Sequence, residues 1–287
     1  MKILVLGDIM GPSGRKVLKN KLSNIINEEK INFVIANGEN AADDGRGITK
    51  NIAEEIFSLG VDVITSGNHI WDKQETTLFI EKENRLLRPA NLVEGSPGKG
   101  VGIFSSKDKK YKIGVINLMG NVFMRKTEDL FLAAKGIIQN MILKKDVDFI
   151  VVDLHGETTS EKMAMGHFLD GSSTCVIGTH THVPTADTRI LEKGTAYQTD
   201  IGMCGDYNSV IGMNKENSIR KFLKDTKAIA KFPALGEGTL SGLIVETDLE
   251  TGLAKKVSRI IPLYAKELHK YLKDNNYPHA FIGNIRV

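Results

Sequence analysis

Ile3-Leu4-Val5-Leu6-Gly7-Asp8 begins the reading: four apolar residues in a row, stopped by a glycine and a carboxylate. An apolar run this short, with no polar alternation and a turn residue at its end, predicts a strand buried on both faces. Behind it Gly11-Pro12-Ser13-Gly14 reads as a turn, and residues 15–29 read as a helix with Val17, Leu18, Leu22, Ile25 and Ile26 on one face. The unit then repeats. Residues 32–36 form a second apolar run ending in Asn37-Gly38-Glu39-Asn40, and a helix follows Thr49, a suitable N-cap, through Ile52, Ile56 and Leu59. Residues 61–65 form the third, ending in Gly67-Asn68-His69, with a helix expected over 72–83. Strand, loop and helix in series predict a largely parallel sheet with helices packed outside it.

Beyond Pro89 the pattern changes. Residues 100–106 and 111–118 flank the polar turn Lys107-Asp108-Lys109-Lys110 as a hairpin, and so do 188–191 with 195–199 and 239–247 with 253–261. Between these hairpins, two more buried-type strands are expected at 148–153, ending in Leu154-His155-Gly156-Glu157, and at 174–177, ending in Gly178-Thr179-His180-Thr181-His182. A short helix is expected over 160–169 between them. No linker, repeat or low-complexity stretch interrupts the chain, so residues 1–287 are read as a single α/β domain.

Composition narrows the function. The 287 residues are 41% hydrophobic and carry 38 basic against 35 acidic side chains, a net charge of +3. So even a balance argues against a general nucleic-acid or membrane-surface binder, and an anionic ligand would have to be held locally. Nothing approaches the roughly 18 to 20 continuous apolar residues of a membrane span, and the N-terminal apolar run is too short for an export signal. Cys175 and Cys204 are too few for a disulfide framework or a thiolate zinc site. A cytoplasmic protein is expected.

Asp8, Glu39, Asn40, Asn68, His69, His155, His180 and His182 each lie at or just past the end of an apolar strand. The C-terminal ends of parallel strands converge on one crevice, where ligands bind. Singly, several have ordinary explanations: Asp8 as a cap, Glu39 and Asn40 as turn residues, His155 as a hydrogen-bonded structural histidine. His180-Thr181-His182 resists such a reading, because alternate residues of an extended chain point to opposite sides and can grip two neighbouring ions. Together the side chains form an oxygen and nitrogen donor set suited to two divalent first-row metals.

The series Gly7-Asp8, Gly38-Glu39-Asn40, Gly67-Asn68-His69, His155 and Gly178-Thr179-His180-Thr181-His182 resembles the calcineurin-like metallophosphoesterase superfamily. That pattern normally runs Asp-x-His, Gly-Asp, Gly-Asn-His-Asp/Glu, His and Gly-His-x-His. Here Met10 stands at the first histidine, Glu39 at the bridging aspartate, Thr179 at the residue after glycine and Ile70 at the final acid. These departures are similar to the bacterial YmdB-like phosphodiesterase branch, as are the runs at 37–42, 67–72 and 199–203.

The resemblance implies a four-layer sandwich, two packed mixed β-sheets flanked by α-helices. It implies one ion on Asp8, Glu39, Asn40 and His182 and a second on Glu39, Asn68, His155 and His180, with Glu39 bridging. A shared hydroxide would attack phosphorus in line. His69, left off the metals, would protonate the departing oxygen, oriented by Asp43, Asp44 or Asp72. The ions would be divalent or mixed-valence, iron first and then manganese or zinc. The expected activity is phosphodiester hydrolysis with 2',3'-cyclic nucleotides as the substrate class. The rivals are a phosphomonoesterase and a regulatory protein that binds RNA or an RNA-processing partner, with catalysis secondary. A small-molecule phosphodiester, no membrane and self-association complete the expectation. Loops 120–127 and 203–214 are where specificity would reside. Trp71, Arg46, His167 and the 107–110 lysines are given structural or surface roles.

Overall fold

The computed structural model describes residues 1–260. Ile261 of the last hairpin, and the rest of the expected single domain to residue 287, lie outside the described residues. The elements run β1 (Lys2–Leu6), β2 (Asp8–Ile9), α1 (Gly11–Glu29), β3 (Phe33–Asn37), α2 (Lys50–Ser58), β4 (Val63–Thr65) and α3 (Thr76–Phe79). Then follow β5 (Val101–Ser105), β6 (Lys112–Met119), α4 (Leu130–Asn140), β7 (Phe149–His155), α5 (Thr159–Phe168) and β8 (Cys175–Thr179). The last are β9 (Arg189–Ile190), β10 (Ala196–Gln198), β11 (Met203–Cys204), α6 (Lys215–Phe222), β12 (Gly242–Thr247) and β13 (Ala254–Ile260).

Two mixed sheets carry the fold, in the orders β13-β12-β1-β3-β4 and β5-β6-β7-β8-β10-β9. β1, β3 and β4 are parallel, as are β6, β7, β8 and β10, and the expected hairpins supply the antiparallel edges. Period-two alternation explains the layering. Ile3 and Val5 of β1 face the second sheet, where they share a core with Val115, Phe149, Val151 and Ile177. Leu4 and Leu6 face outward onto Val17, Leu18 and Leu22 of α1 and Ile56 of α2. On the far side Ile116, Ile150, Val152 and Val176 pack under Leu130 of α4 and Met165 of α5. The result is the expected four-layer sandwich, with central strands such as β1 and β3 largely apolar because both faces are covered, while the edge strand β13 alternates with lysine and arginine.

Some boundaries differ from expectation. α1 begins at Gly11 rather than after Gly14, since proline fits the first turn of a helix, where its missing N–H costs nothing. The helix expected over 72–83 shrinks to one turn. There the backbone closes into separate turns, Asp72 N–H to His69 and Thr76 N–H to Lys73, while the buried Thr76 hydroxyl donates to Ile48 O at 2.7 Å, a tertiary bond the local pattern does not contain. α4 and α6 lie outside the sequence expectation; Asp129 and Asn214 cap them, accepting from Leu132 N–H and Asn217 N–H.

Candidate metal centre

The two sheets meet at the C-terminal ends of their parallel strands, so the crevice is shared between sheets rather than cut into one. Buried polar side chains join them there: Asn37 donates to Asp153 Oδ2 (3.0 Å) and Ser66 N–H donates to Asn117 Oδ1 (2.9 Å). β1 breaks at Gly7 and resumes as β2, which lays Asp8 alongside Met203 of β11. The loop after β3 brings Glu39 and Asn40, the loop after β4 brings Asn68 and His69, β7 ends on His155, and His180 and His182 follow β8. All eight sequence-selected residues gather at this junction.

Seven of them form two groups of donor atoms. In the first, His155 Nε2 lies 2.9 Å from Glu39 Oε1, 3.1 Å from Asn68 Oδ1 and 3.0 Å from His180 Nδ1. In the second, His182 Nε2 lies 3.1 Å from Asn40 Oδ1 and 3.9 Å from Asp8 Oδ1. Asn40 is oriented by its amide N–H donating to Gly45 O at 2.8 Å, which turns its oxygen toward His182. Met10, at the position of the missing histidine, is buried beside Gly45, Gly205 and Gly212.

The outer nitrogens of the three imidazoles define their tautomers. The Thr179 hydroxyl donates to Asp153 Oδ1 (2.7 Å) and therefore accepts from His155 Nδ1–H (2.9 Å). His182 Nδ1–H donates to Ile211 O (2.8 Å), and His180 Nε2–H donates to Glu157 (3.1 Å). In its neutral form each ring thus presents an unprotonated nitrogen inward, against carboxylate and amide oxygens that are also acceptors. Asp8 Oδ1 is fully buried with no hydrogen-bond partner. Acceptors crowded on acceptors, with one carboxylate oxygen unpartnered, fit a cation in each group, and Glu39, His155 and His180 place one ligand atom each within 4.8 Å of one another.

The electrostatics agree. Burial alone would lower the His155 pKa, but the carboxylates of Glu39, Asp8 and Asp153 drive it up to about 9, so the inward nitrogen of this ring takes either a proton or a metal ion, and the two compete. Burial and the neighbouring His155 hold His180 down to about 3. Burial pushes Asp8 up to about 6 against the pull of His182 and His155; burial also acts to raise Glu39, yet His155 and His69 bring it down to about 2.

The expected extended geometry at 180–182 is not what forms. His180 and His182 have φ of 100° and 65°, so left-handed backbone, not strand alternation, turns both rings inward. Such backbone needs external support. Asp200 supplies it, accepting from Thr181 N–H (3.1 Å) and Gly202 N–H (2.9 Å) while paired at 2.8 Å with Lys162, itself buried. Sequence reasoning missed Asp200, Lys162 and Asp153; the signal available for Asp153 was a carboxylate inside an apolar strand. Gly67 has a steric reason. A Cβ there would sit 2.1 Å from the His155 ring, so the glycine makes room for an imidazole.

His69 stands apart from the donor groups. Its backbone N–H donates to Glu39 Oε2 (3.0 Å) and its Nδ1 lies 2.7 Å from Asp72 Oδ2. Of the three aspartates considered, Asp43 pairs with Arg15 and Asp44 with Lys73, leaving Asp72 to orient the ring. Trp71 packs against the outer core, Arg46 and His167 are exposed, and burial raises both cysteine thiols to about 12, which makes them inert. No helix among the described residues is long and apolar enough to cross a membrane.

Comparison with known proteins sets this geometry in context. The profile of the family described as YmdB-like protein matches residues 4–260. The 2',3'-cyclic-nucleotide 2'-phosphodiesterase of Bacillus subtilis (strain 168) is 43% identical over 91% of this chain and 97% of its own. Two crystal structures share the fold. A novel phosphatase from Mycoplasma pneumoniae has a TM-score of 0.82 at 38% identity, over 91% of this chain and 92% of its own. A hypothetical protein from Thermus thermophilus has a TM-score of 0.81 at 35% identity, over 90% of this chain and 98% of its own.

Proposed function

From the membership of this chain in the YmdB-like protein family, we propose that it is a metal-dependent phosphodiesterase acting on 2',3'-cyclic nucleotides. The observation that carries the metal chemistry is the set of three imidazoles whose outer protons are held by Thr179, Glu157 and Ile211 O and whose inner nitrogens converge with Asp8, Glu39, Asn40 and Asn68. The substrate class follows the activity of the Bacillus subtilis relative. Asp8, Asn40 and His182 would hold one ion, Asn68, His155 and His180 the other, with Glu39 serving both. Iron is the proposed occupant, with manganese or zinc satisfying the same donors. When bound, such ions offset the charge of phosphate oxygens and acidify water.

The remaining work falls to this chain's own residues. His69 Nδ1 is held by Asp72, which leaves Nε2 to carry a proton to the departing ribose oxygen. The bond from His69 N–H to Glu39 fixes the ring's backbone to a ligand, so donor and metal groups keep one spacing. Opening the cyclic ester yields a nucleoside monophosphate. The core shared by both sheets supports treating the catalytic unit as one domain, and two buried, unpaired cysteines suit a reducing cytoplasm.

The test is metal content and turnover of 2',3'-cyclic AMP and bis-p-nitrophenyl phosphate, with a matched panel of phosphomonoesters. Wild type should hold about two metal equivalents and prefer diesters. Glu39→Gln should lose metal, whereas His69→Ala should keep it and lose roughly 100- to 10,000-fold in rate. A wild type that stays metal-free and inactive after reconstitution, or a His69→Ala variant with unchanged turnover, would overturn the assignment.

A further inference from the structure

We propose that the loop at residues 120–127 is the base-recognition element of the site, with Phe123 stacking on the nucleobase. This rests on the cyclic-nucleotide activity proposed above. The loop spans the junction. At its start Gly120 N–H donates to the backbone oxygen of His155 at 2.9 Å. Near its end the Arg125 guanidinium lies 3.6 Å from Asp72 Oδ1, the carboxylate whose other oxygen holds His69. Along the chain Phe123 lies between an anchor on the backbone of a candidate ligand and an anchor on the carboxylate that orients the candidate proton donor.

Bonds to α5 and within the loop hold it in shape. Glu161 accepts from Asn121 N–H (2.9 Å) and Val122 N–H (3.1 Å), and the Asn121 amide donates to Thr127 Oγ1 (2.7 Å), closing the loop on itself. Asn91 fastens its base through Met119 O and Thr127. On this frame Phe123 is 86% exposed and has φ of 60°. An aromatic residue in left-handed backbone is strained, and an exposed ring returns none of that strain through core packing. Asparagine or glycine would satisfy the turn at lower cost. An exposed aromatic face on a loop tied at both ends to a phosphodiester site is what a base can stack on, since every base has a π-face. Preorganisation by Glu161 and Asn121 lowers the ordering cost of binding.

The experiment compares kcat/KM for 2',3'-cyclic AMP with that for 1-O-methylribofuranose 2',3'-cyclic phosphate, which has the same ester and no base. Phe123→Ala should lose about 5- to 150-fold on the nucleotide, the range for one base–aromatic stack, and change less than about twofold on the base-free ester. Phe123→Trp should retain nucleotide activity. Phe123→Gly relieves the backbone, so it should melt no lower than wild type while losing nucleotide activity to the same degree. Equal losses on both esters, or no loss on either, would overturn the stacking role while leaving the phosphodiesterase standing. A wild type that cleaves neither ester would take down the proposed function and this inference with it.

Discussion

Replacing Thr179 with valine removes one hydroxyl and almost no volume, so it isolates the hydrogen bonds at the centre of the site. That hydroxyl accepts from His155 Nδ1–H and is the donor to Asp153 Oδ1, while Thr65 (2.5 Å) and Asn37 (3.0 Å) serve the other oxygen. In Thr179→Val, Asp153 Oδ1 is left buried without that donor, at a cost of roughly 1–3 kcal/mol. For a chain of this size that lowers Tm by about 2–4 °C per kcal/mol. The second effect is on metal. With no acceptor at Nδ1, His155 is free to place its proton on Nε2, the atom facing Glu39 and His180, and affinity should fall about 10- to 100-fold. Titration of metal-stripped protein with Mn(II) against a competing chelator measures this, with Thr179→Ser as the variant that restores the hydroxyl. Valine binding metal within about twofold of wild type, or serine failing as badly as valine, would refute the tautomer argument.

Two further predictions concern the support around the site. Lys162→Met leaves Asp200 buried without its cation and should destabilise by about 3–5 kcal/mol in urea denaturation, whereas Lys162→Met with Asp200→Asn should recover much of that; equal losses in the single and double variants would rule out the uncompensated charge as the cause. Gly67→Ala sets a methyl 2.1 Å from the His155 ring, so it should lose bound metal while costing roughly 1–3 kcal/mol in stability, and full metal content in that variant would show that the ring yields without consequence.

The layered architecture was legible in the sequence because strands covered on both faces are apolar at every position, and residues 3–6, 33–36 and 149–152 are all of this kind. The candidate ligands were legible for a related reason. A turn after such a strand is where a polar side chain is conspicuous, and Asp8, Glu39, Asn68 and His180 all stand at such turns. The helix over 72–83 misled because its periodicity was genuine, but the bond that holds Thr76 to Ile48 depends on a segment 28 positions away that the local pattern does not contain.

What the sequence could not show is how the histidine ligands are aimed, because each is aimed by a partner distant along the chain. Asn37 reaches Asp153 across 116 positions, Thr65 reaches it across 88, and His182 meets Asn40 across 142. The same holds for the two histidines after β8. Spacing suggested a strand that would splay them, yet both sit in left-handed backbone that a buried Lys162–Asp200 pair supports. A donor type can be read from one residue, but a tautomer is a property of a chain of bonds. Asp153 accepts from Thr179, Thr179 accepts from His155, and only then does His155 turn an unprotonated nitrogen toward Glu39. The carboxylates of Glu39, Asp8 and Asp153 make this point favour positive charge, and the order of bonds leaves the inward nitrogen of the neutral ring open to supply it with a cation, since exchanging any acceptor in the series for a donor would put a proton where a cation belongs.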